Sequence, residues 1–307
     1  MTQESRVVLI NGEYVDWNNA KLHVTTHALL YGTAVFEGIR AYASAEGGQL
    51  YVFRLKEHVT RLLNNTRVLR LKQPLTVDAF SEKIVELLEK NNFHTDVYIR
   101  PVVYFGEGAI GLKPLKQSTD YFVFAVELGN YFGEDKALKV GISSWVRPSN
   151  NSLPPSAKVN GSYVNSMLAS MDARDAGYDE AILLTQNGYV SEGPGENLFI
   201  VKKGKLITPP VSADILEGIT RDAVISMATE IGIDVVERDV ARTELYTCDE
   251  LFLCGTAAQI SPVGSVDGRI IGDGKAGKMT SKLAATFNEA VRGKDDNRRG
   301  WLTPVYR

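Results

Sequence analysis

Cysteine is scarce in this chain of 307 residues: there are two, Cys248 and Cys254. Two thiols in one apolar run cannot build a disulfide framework, and they lack metal-ligand spacing. Buried thiols are therefore expected, in keeping with a reducing, cytoplasmic setting. Long hydrophobic runs are absent too. None approaches the roughly 20 residues that span a bilayer, and Met1 to Arg6 is polar, with no apolar signal core. Excess charge of one sign is also missing. Against 34 Lys and Arg stand 37 Asp and Glu, a net charge of −3, so no global field favours nucleic acid or an anionic membrane. No solenoid-period repeat and no low-complexity segment occurs. What remains is 44% apolar and 23% charged, the balance of a globular chain with core enough for two domains or one large one.

Taken in order, Val7 to Val15 reads as a hairpin with Asn11-Gly12 at its turn. Residues 25–40 mix polar and apolar side chains in a way that fits neither a simple helix nor a simple strand. Leu50 to Leu55 reads as a strand. A helix from Lys56 carries Val59, Leu62, Leu63 and Leu69 on one face, and a second from Thr76 carries Phe80, Ile84, Leu87 and Leu88 and stops at Asn91-Asn92. Strands follow over 96–105 and 120–128. Residues 129–137 are polar and Gly-bearing, a candidate interdomain linker.

Beyond the linker, Leu138–Val146 predicts a strand and Arg147 to Pro155 a Pro/Ser/Asn loop that delivers Lys158 just before a helix ending at Gly177. Residues 181–191 form another Asn-Gly hairpin, and 198–208 pair around Lys203-Gly204. A helix runs from Ile219 to Ile231 with Val224, Met227, Ala228 and Ile231 inward. Glu250–Cys254 is a buried-looking strand, 280–291 a last helix, and a charged tail follows. Mixed helices and strands with many hairpins predict an α+β fold, not a doubly wound parallel sheet.

The chemistry concentrates in Ser191-Glu192-Gly193-Pro194-Gly195-Glu196-Asn197-Leu198-Phe199, where a Gly/Pro turn carries two carboxylates between apolar flanks. Buried carboxylates are costly unless something positive meets them. A protonated heterocycle is one such partner; a tight turn with one solvated and one capping acid is the plainer account. Lys158 follows two prolines and precedes a helix bearing Tyr163. It is either an ordinary surface lysine or an amine held to attack a carbonyl. Glu217-Gly218-Ile219-Thr220-Arg221 opens a helix whose N–H groups and Thr hydroxyl suit an anion. Gly255-Thr256-Ala257-Ala258 leaves a strand with small residues only, which lets a ligand approach the backbone. Arg61 can add a cation. Each has an ordinary structural explanation taken singly. Together they supply a lysine for an aldehyde, a carboxylate for a ring nitrogen, a phenol and anion donors, the parts of a pyridoxal phosphate site.

Those stretches, with His27-Ala28-Leu29-Leu30-Tyr31-Gly32, Val35-Phe36-Glu37-Gly38-Ile39-Arg40, Tyr98-Ile99-Arg100-Pro101 and Ser156-Ala157-Lys158, resemble the fold-type IV pyridoxal-phosphate aminotransferases, and specifically the branched-chain amino-acid aminotransferases. The resemblance runs from about Leu9 to Val263. It implies a two-domain α+β enzyme, D-amino-acid-aminotransferase-like, with the cofactor at the domain interface. It divides the chain into a small α/β domain over 1–128 and a large domain over 138–307 carrying the cofactor lysine. It implies that pyridoxal 5'-phosphate is bonded by Lys158, that Glu192 holds the ring nitrogen and Tyr163 the ring hydroxyl, and that Arg61, Ile219, Thr220 and Thr256 bind the phosphate. Glu196 supports the turn. Phe36, Tyr31, Tyr163 and Tyr131 line an apolar pocket; Tyr98 and the backbone of Ala257 and Ala258 take the α-carboxylate. Arg100 accepts the distal carboxylate of glutamate, with Arg40 behind it.

The activity implied is ping-pong amino transfer between L-leucine, L-isoleucine or L-valine and 2-oxoglutarate. At least a homodimer is implied, Tyr31 coming from the partner subunit, with no metal. Two residues depart from the pattern: Leu128, where some relatives carry an aromatic pocket residue, and Gln259, where an acid is common. A D-amino-acid or (R)-amine aminotransferase shares these parts. A non-catalytic binding protein would be expected to lack the lysine or the ring-nitrogen acid.

Overall fold

The computed structural model describes residues 6–108, 110–114, 117–133 and 136–306. Among them the chain forms two compact units. The first runs to Gly129 and takes in Ala157–Gly161 and the chain from Glu289 onward; the second holds Asn130–Ser156 and Ser162–Asn288. The units are therefore not two contiguous stretches divided at one linker. The segment around Lys158 groups with the first unit because Val159 bridges Val35 and the Lys158 carbonyl accepts from Phe36 N at 3.3 Å.

In the first unit the strands are β1 (Val7–Ile10), β2 (Glu13–Asp16), β3 (Ala34–Phe36), β4 (Ile39–Ala43), β5 (Leu50–Phe53), β6 (Val97–Phe105) and β7 (Thr119–Glu127). They form one antiparallel sheet in the order β5-β4-β6-β7-β1-β2, with β3 also on β6 and Leu302–Pro304 outside β5. The Asn11-Gly12 turn has positive φ at both residues, 48° and 92°, as the twist of a two-residue hairpin requires. Residues 25–40, ambiguous from sequence, make the short helix α1 (His27–Tyr31), then β3 and the start of β4. Their polar members blur the pattern because Glu37 and Arg40 are buried charges with partners inside the unit.

Helices α2 (Leu55–Val68) and α3 (Val77–Asn91) follow the sequence periodicity. Thr76 caps α3 by accepting from Ala79 N, and Phe80, Ile84, Leu87 and Leu88 are fully buried. Each such side chain contributes about 1.5–3 kcal/mol by burial. Val59, Leu62 and Leu63 are buried on α2, but Leu69 lies beyond its end and is half-buried. The expected charged tail proves to be structure. Leu302–Pro304 pairs with β5, and the Gln49 amide oxygen accepts from Val305 N and Tyr306 N at 3.1 and 2.8 Å.

The second unit contains β8 (Leu138–Val146), β9 (Glu180–Leu184), β10 (Asn197–Lys202), β11 (Lys205–Thr208), β12 (Val235–Glu237), β13 (Glu250–Gly255), β14 (Gln259–Val266) and β15 (Arg269–Ile270), with helices α4 (Tyr163–Asp175), α5 (Ile219–Glu230) and all but the last three residues of α6 (Lys278–Val291). Its sheet runs β12-β11-β10-β13-β14-β8-β9, with β15 on β14; β11–β12, β14–β8 and β8–β9 are parallel. Sequence periodicity does not reveal β12, β14 or β15. The apolar core gathers Leu138, Val140, Ile182, Leu198, Ile200, Leu251 and Leu253. Val224, Met227 and Ala228 on α5 are buried as expected, while Ile231, past the helix end, is half-buried.

The Asn187-Gly188 turn folds the chain back along β9. Leu183 N donates to Glu192 O and Ser191 N to Leu183 O, at 2.9 and 3.0 Å, so Glu192 is set beside a buried strand. Cys248 and Cys254 are free and buried, and burial pushes the Cys248 thiol up to about 12. Among the described residues no helix is long and apolar enough to cross a membrane.

Candidate active site

In the first unit, alternation along β6 puts Tyr98 and Arg100 on one face of the sheet. The Arg100 guanidinium lies 4.3 Å from the centroid of the Phe36 ring and donates to Tyr98 Oη at 2.6 Å. Lys158 Nζ stands 4.8 Å from the centroid of that same ring. Lys158 is half-buried and has a left-handed backbone, φ 46°, which costs a non-glycine residue and is typical of sites held by their surroundings. Gly38 belongs to this arrangement: a Cβ there would collide with the Tyr98 phenol oxygen. Four predicted residues, Phe36, Tyr98, Arg100 and Lys158, are thus one cluster.

Arg40 is placed differently. It is 1% exposed, and its Nη2 donates to the carbonyls of Leu128 and Gly129 at 2.5 Å each. It holds the end of this unit's first segment rather than lining a surface. Tyr31, on α1, is 37% exposed.

Arg61 lies on α2 and is gripped from below. Its Nε and Nη2 donate to the two oxygens of Glu37 at 2.6 and 2.9 Å, and His58 Nδ1 is 2.9 Å from Glu37 Oε2. Burial by itself would raise the Glu37 carboxyl, but the Arg61 guanidinium and the His58 hydrogen bond prevail and hold it far below the usual carboxylate range. Burial lowers the His58 imidazole. Neither Glu37 nor His58 is marked by sequence chemistry; Glu37's place between Phe36 and Gly38 is the one available signal.

In the second unit Glu192 is 3% exposed and has donors on both oxygens. Arg147 Nη2 reaches Oε1 at 2.5 Å, Asn197 Nδ2 reaches Oε2 at 2.8 Å, and Leu216 N lies 3.2 and 3.1 Å from the two. Such a set favours the charged carboxylate. Asn197 also donates to Leu216 O, and its amide oxygen fills the space a Cβ on Gly218 would need. Glycine at 218 thereby lets the clamp on Glu192 sit against the start of α5. Neither Arg147 nor Asn197 stands out in sequence, where a buried arginine looks like any other.

Glu196 is a separate case. It is 5% exposed and accepts from Gly195 N at 3.0 Å. Burial first, then the charge of Glu180, push its carboxyl up to about 8. Glu180, itself raised by burial, accepts from Ser170 Oγ and Ala181 N at 2.7 and 2.9 Å.

Gly218 caps α5 with extended backbone, and Ile219 and Thr220 in its first turn are buried. Arg221 fixes this helix start by donating to Pro209 O at 3.0 Å and to Glu237 Oε2 at 2.6 Å. Thr256 and Ala257, half-buried, and Ala258, buried, form the β13–β14 turn, which Gln259 closes with a left-handed φ of 56°. Tyr163 begins α4 and is half-buried. Tyr131 is half exposed and packs edge-on to Phe132.

These residues fit pyridoxal 5'-phosphate. The fit rests on Glu192, a buried carboxylate whose donors suit the charged form that a ring cation would face, and on a glycine-capped helix start with a buried threonine, which suits a phosphate.

The family model for amino-transferase class IV matches residues 34–266. The chain belongs to the class IV aminotransferases. It is 46% identical to the probable branched-chain-amino-acid aminotransferase of Aquifex aeolicus, over 96% of this chain and 95% of that one. Its structure is similar to the branched-chain aminotransferase of Thermoproteus uzoniensis crystallised with norvaline, with TM-score 0.94, 42% identity and full coverage of both chains. It is similar also to the branched-chain amino acid aminotransferase of Thermobaculum terrenum in its PLP-form, with TM-score 0.94, 39% identity and 99% of each chain covered.

Proposed function

We infer that this chain is a branched-chain L-amino-acid aminotransferase, moving the amino group between L-leucine, L-isoleucine or L-valine and 2-oxoglutarate. The enzyme is a pyridoxal-phosphate-dependent transaminase. The observation that carries the substrate reading is the Arg100 guanidinium lying on the Phe36 ring beside the Tyr98 phenol. An apolar ring suits a branched side chain, and the adjacent cation suits the distal carboxylate of glutamate, so one pocket accepts both in turn.

When bound, the cofactor supplies an aldehyde and an electron-withdrawing ring that make the substrate Cα–H acidic. Lys158 Nζ would hold that aldehyde, and as the free amine it would carry the proton between the substrate Cα and the cofactor C4′. Glu192 holds a proton on the ring nitrogen, and Tyr163 donates to the ring oxygen. Arg61, Ile219, Thr220 and Thr256 bind the phosphate, with Glu37 and His58 fixing the angle of Arg61. Tyr98 and the backbone of Ala257 and Ala258 orient the substrate's α-carboxylate; Phe36, Tyr31 and Tyr131 exclude water from the side chain. Arg40 acts only indirectly, by holding the Leu128 and Gly129 carbonyls. The working unit is a homodimer or higher homo-oligomer in the cytoplasm, with Tyr31 reaching the site of the partner subunit.

The visible spectrum of the purified protein tests this. A yellow protein that bleaches with L-leucine and recovers with 2-oxoglutarate is expected. Initial rates should give parallel double-reciprocal lines, and Lys158→Ala should abolish the bleaching. Turnover with D-alanine and none with L-leucine would overturn the substrate reading. A protein that stays colourless with added pyridoxal phosphate would overturn the cofactor roles.

A further inference from the structure

Arg147 follows β8 and is 6% exposed. Its backbone is fixed by donation from its N–H to Leu184 O at 2.9 Å. The two terminal nitrogens of its guanidinium serve different groups. Nη2 donates to Glu192 Oε1 at 2.5 Å, and Nη1 donates to Ser166 Oγ at 3.0 Å. The Ser166 hydroxyl in turn donates to Pro194 O at 2.7 Å. One side chain therefore grips the carboxylate of Glu192 directly and, through Ser166, the turn that carries it. The third nitrogen, Nε, is buried with no partner among the described residues. An arginine set for its own solvation would not leave it so; this one is aimed at Glu192.

We propose that Arg147 is a positioning residue for the ring-nitrogen chemistry: it keeps Glu192 charged and in one orientation, so that the cofactor's ring nitrogen retains its proton. This rests on the assignment of Glu192 to the ring nitrogen made above. Glu192 and the ring nitrogen share one proton. In a buried site both charges are penalised, and the pair collapses to neutral acid plus neutral pyridine unless the anion is stabilised from elsewhere. Arg147 supplies that stabilisation at Oε1, and Asn197 and Leu216 N add donors without charge. Without the guanidinium the proton moves from the ring nitrogen to a carboxylate oxygen, and the ring becomes a poorer electron sink.

The test compares wild type, Arg147→Met and Arg147→Lys as full-length protein, each reconstituted with pyridoxal 5'-phosphate labelled with 15N in the ring or with the analogue carrying carbon at that position. In wild type and Arg147→Lys the 15N shift should lie at the pyridinium position; in Arg147→Met it should move toward neutral pyridine. Arg147→Met should weaken binding of pyridoxal phosphate by about tenfold or more, as losing a charge partner does, and should not weaken binding of the carbon analogue. Arg147→Lys should restore most of that loss. Equal weakening toward both cofactors, or an unmoved 15N shift in Arg147→Met, would make Arg147 a scaffold residue only and overturn the proposal. If Arg147→Met does not fold, Arg147→Lys decides: a neutral-pyridine shift in a folded lysine variant overturns it. Failure of wild type to bind pyridoxal phosphate would instead strike the cofactor reading itself.

Discussion

The Lys158 amine stands 4.8 Å from the centroid of the Phe36 ring, and the backbone joins the same two residues through Phe36 N donating to Lys158 O. Phe36 is 4% exposed, so its ring is both core and support for the amine. Phe36→Ala should cost about 3–5 kcal/mol of stability, as aromatic truncation in a core does. Phe36→Leu should cost under about 1.5 kcal/mol and still lower kcat/KM for leucine, because a leucine lacks the ring face on which Lys158 Nζ and the Arg100 guanidinium rest. Urea unfolding and steady-state rates separate the two effects.

Arg100→Ala should separate the two substrates. A hydrogen bond to a charged group is worth about 1.5–3 kcal/mol, so kcat/KM for glutamate should fall by about 10- to 100-fold. Leucine, which presents no distal charge, should lose much less. Equal losses would assign Arg100 to holding Tyr98 and Phe36 in place.

Glu37 joins Arg61 and His58 in a buried set, and removing its charge should be costly. Glu37→Gln is expected to destabilise the protein by about 3–5 kcal/mol at pH 7 and to weaken retention of pyridoxal phosphate on dialysis. The carboxyl is held below its unfolded value of 4.5, so the stability it contributes is full above that value and is lost as pH falls. Melting temperatures of wild type and variant should therefore converge as the pH is lowered below about 5.

Glu196 has the opposite sign. Its carboxyl is pushed from 4.5 to about 8, so its neutral form is favoured in the fold. The stability linked to it is full below the unfolded value and is lost as pH rises through the folded one. Glu196→Gln should flatten this slope: near wild-type melting at pH 5, and higher melting than wild type at about pH 9. An unchanged slope would mean that Glu196 is charged throughout, and that Glu180 carries the shared proton.

Much of the fold is legible in the sequence. The helical spacing of Phe80, Ile84, Leu87 and Leu88, the Thr76 cap and the Asn92 stop define α3, and both Asn-Gly turns fall where strands fold back. Local physics suffices there, because a cap or a two-residue turn is decided by neighbours in the chain. Strands β3 and β4 are obscured by Glu37 and Arg40, whose burial depends on partners elsewhere: Arg61 lies 24 residues from Glu37, and the Leu128 carbonyl 88 residues from Arg40. Leu302–Pro304 is invisible for a like reason, since what makes it a strand is the edge of β5.

The sequence by itself determined the helices, the hairpins and the inventory of reactive side chains, since periodicity, turn chemistry and residue type are properties of short stretches. Tertiary structure alone decided which charges meet. Arg147 and Glu192 are 45 residues apart in the chain, and only the packing of the second unit brings them to 2.5 Å. In a buried setting the state of a carboxylate depends on which donors reach it in space and on how much water is excluded, and neither is written in any local stretch.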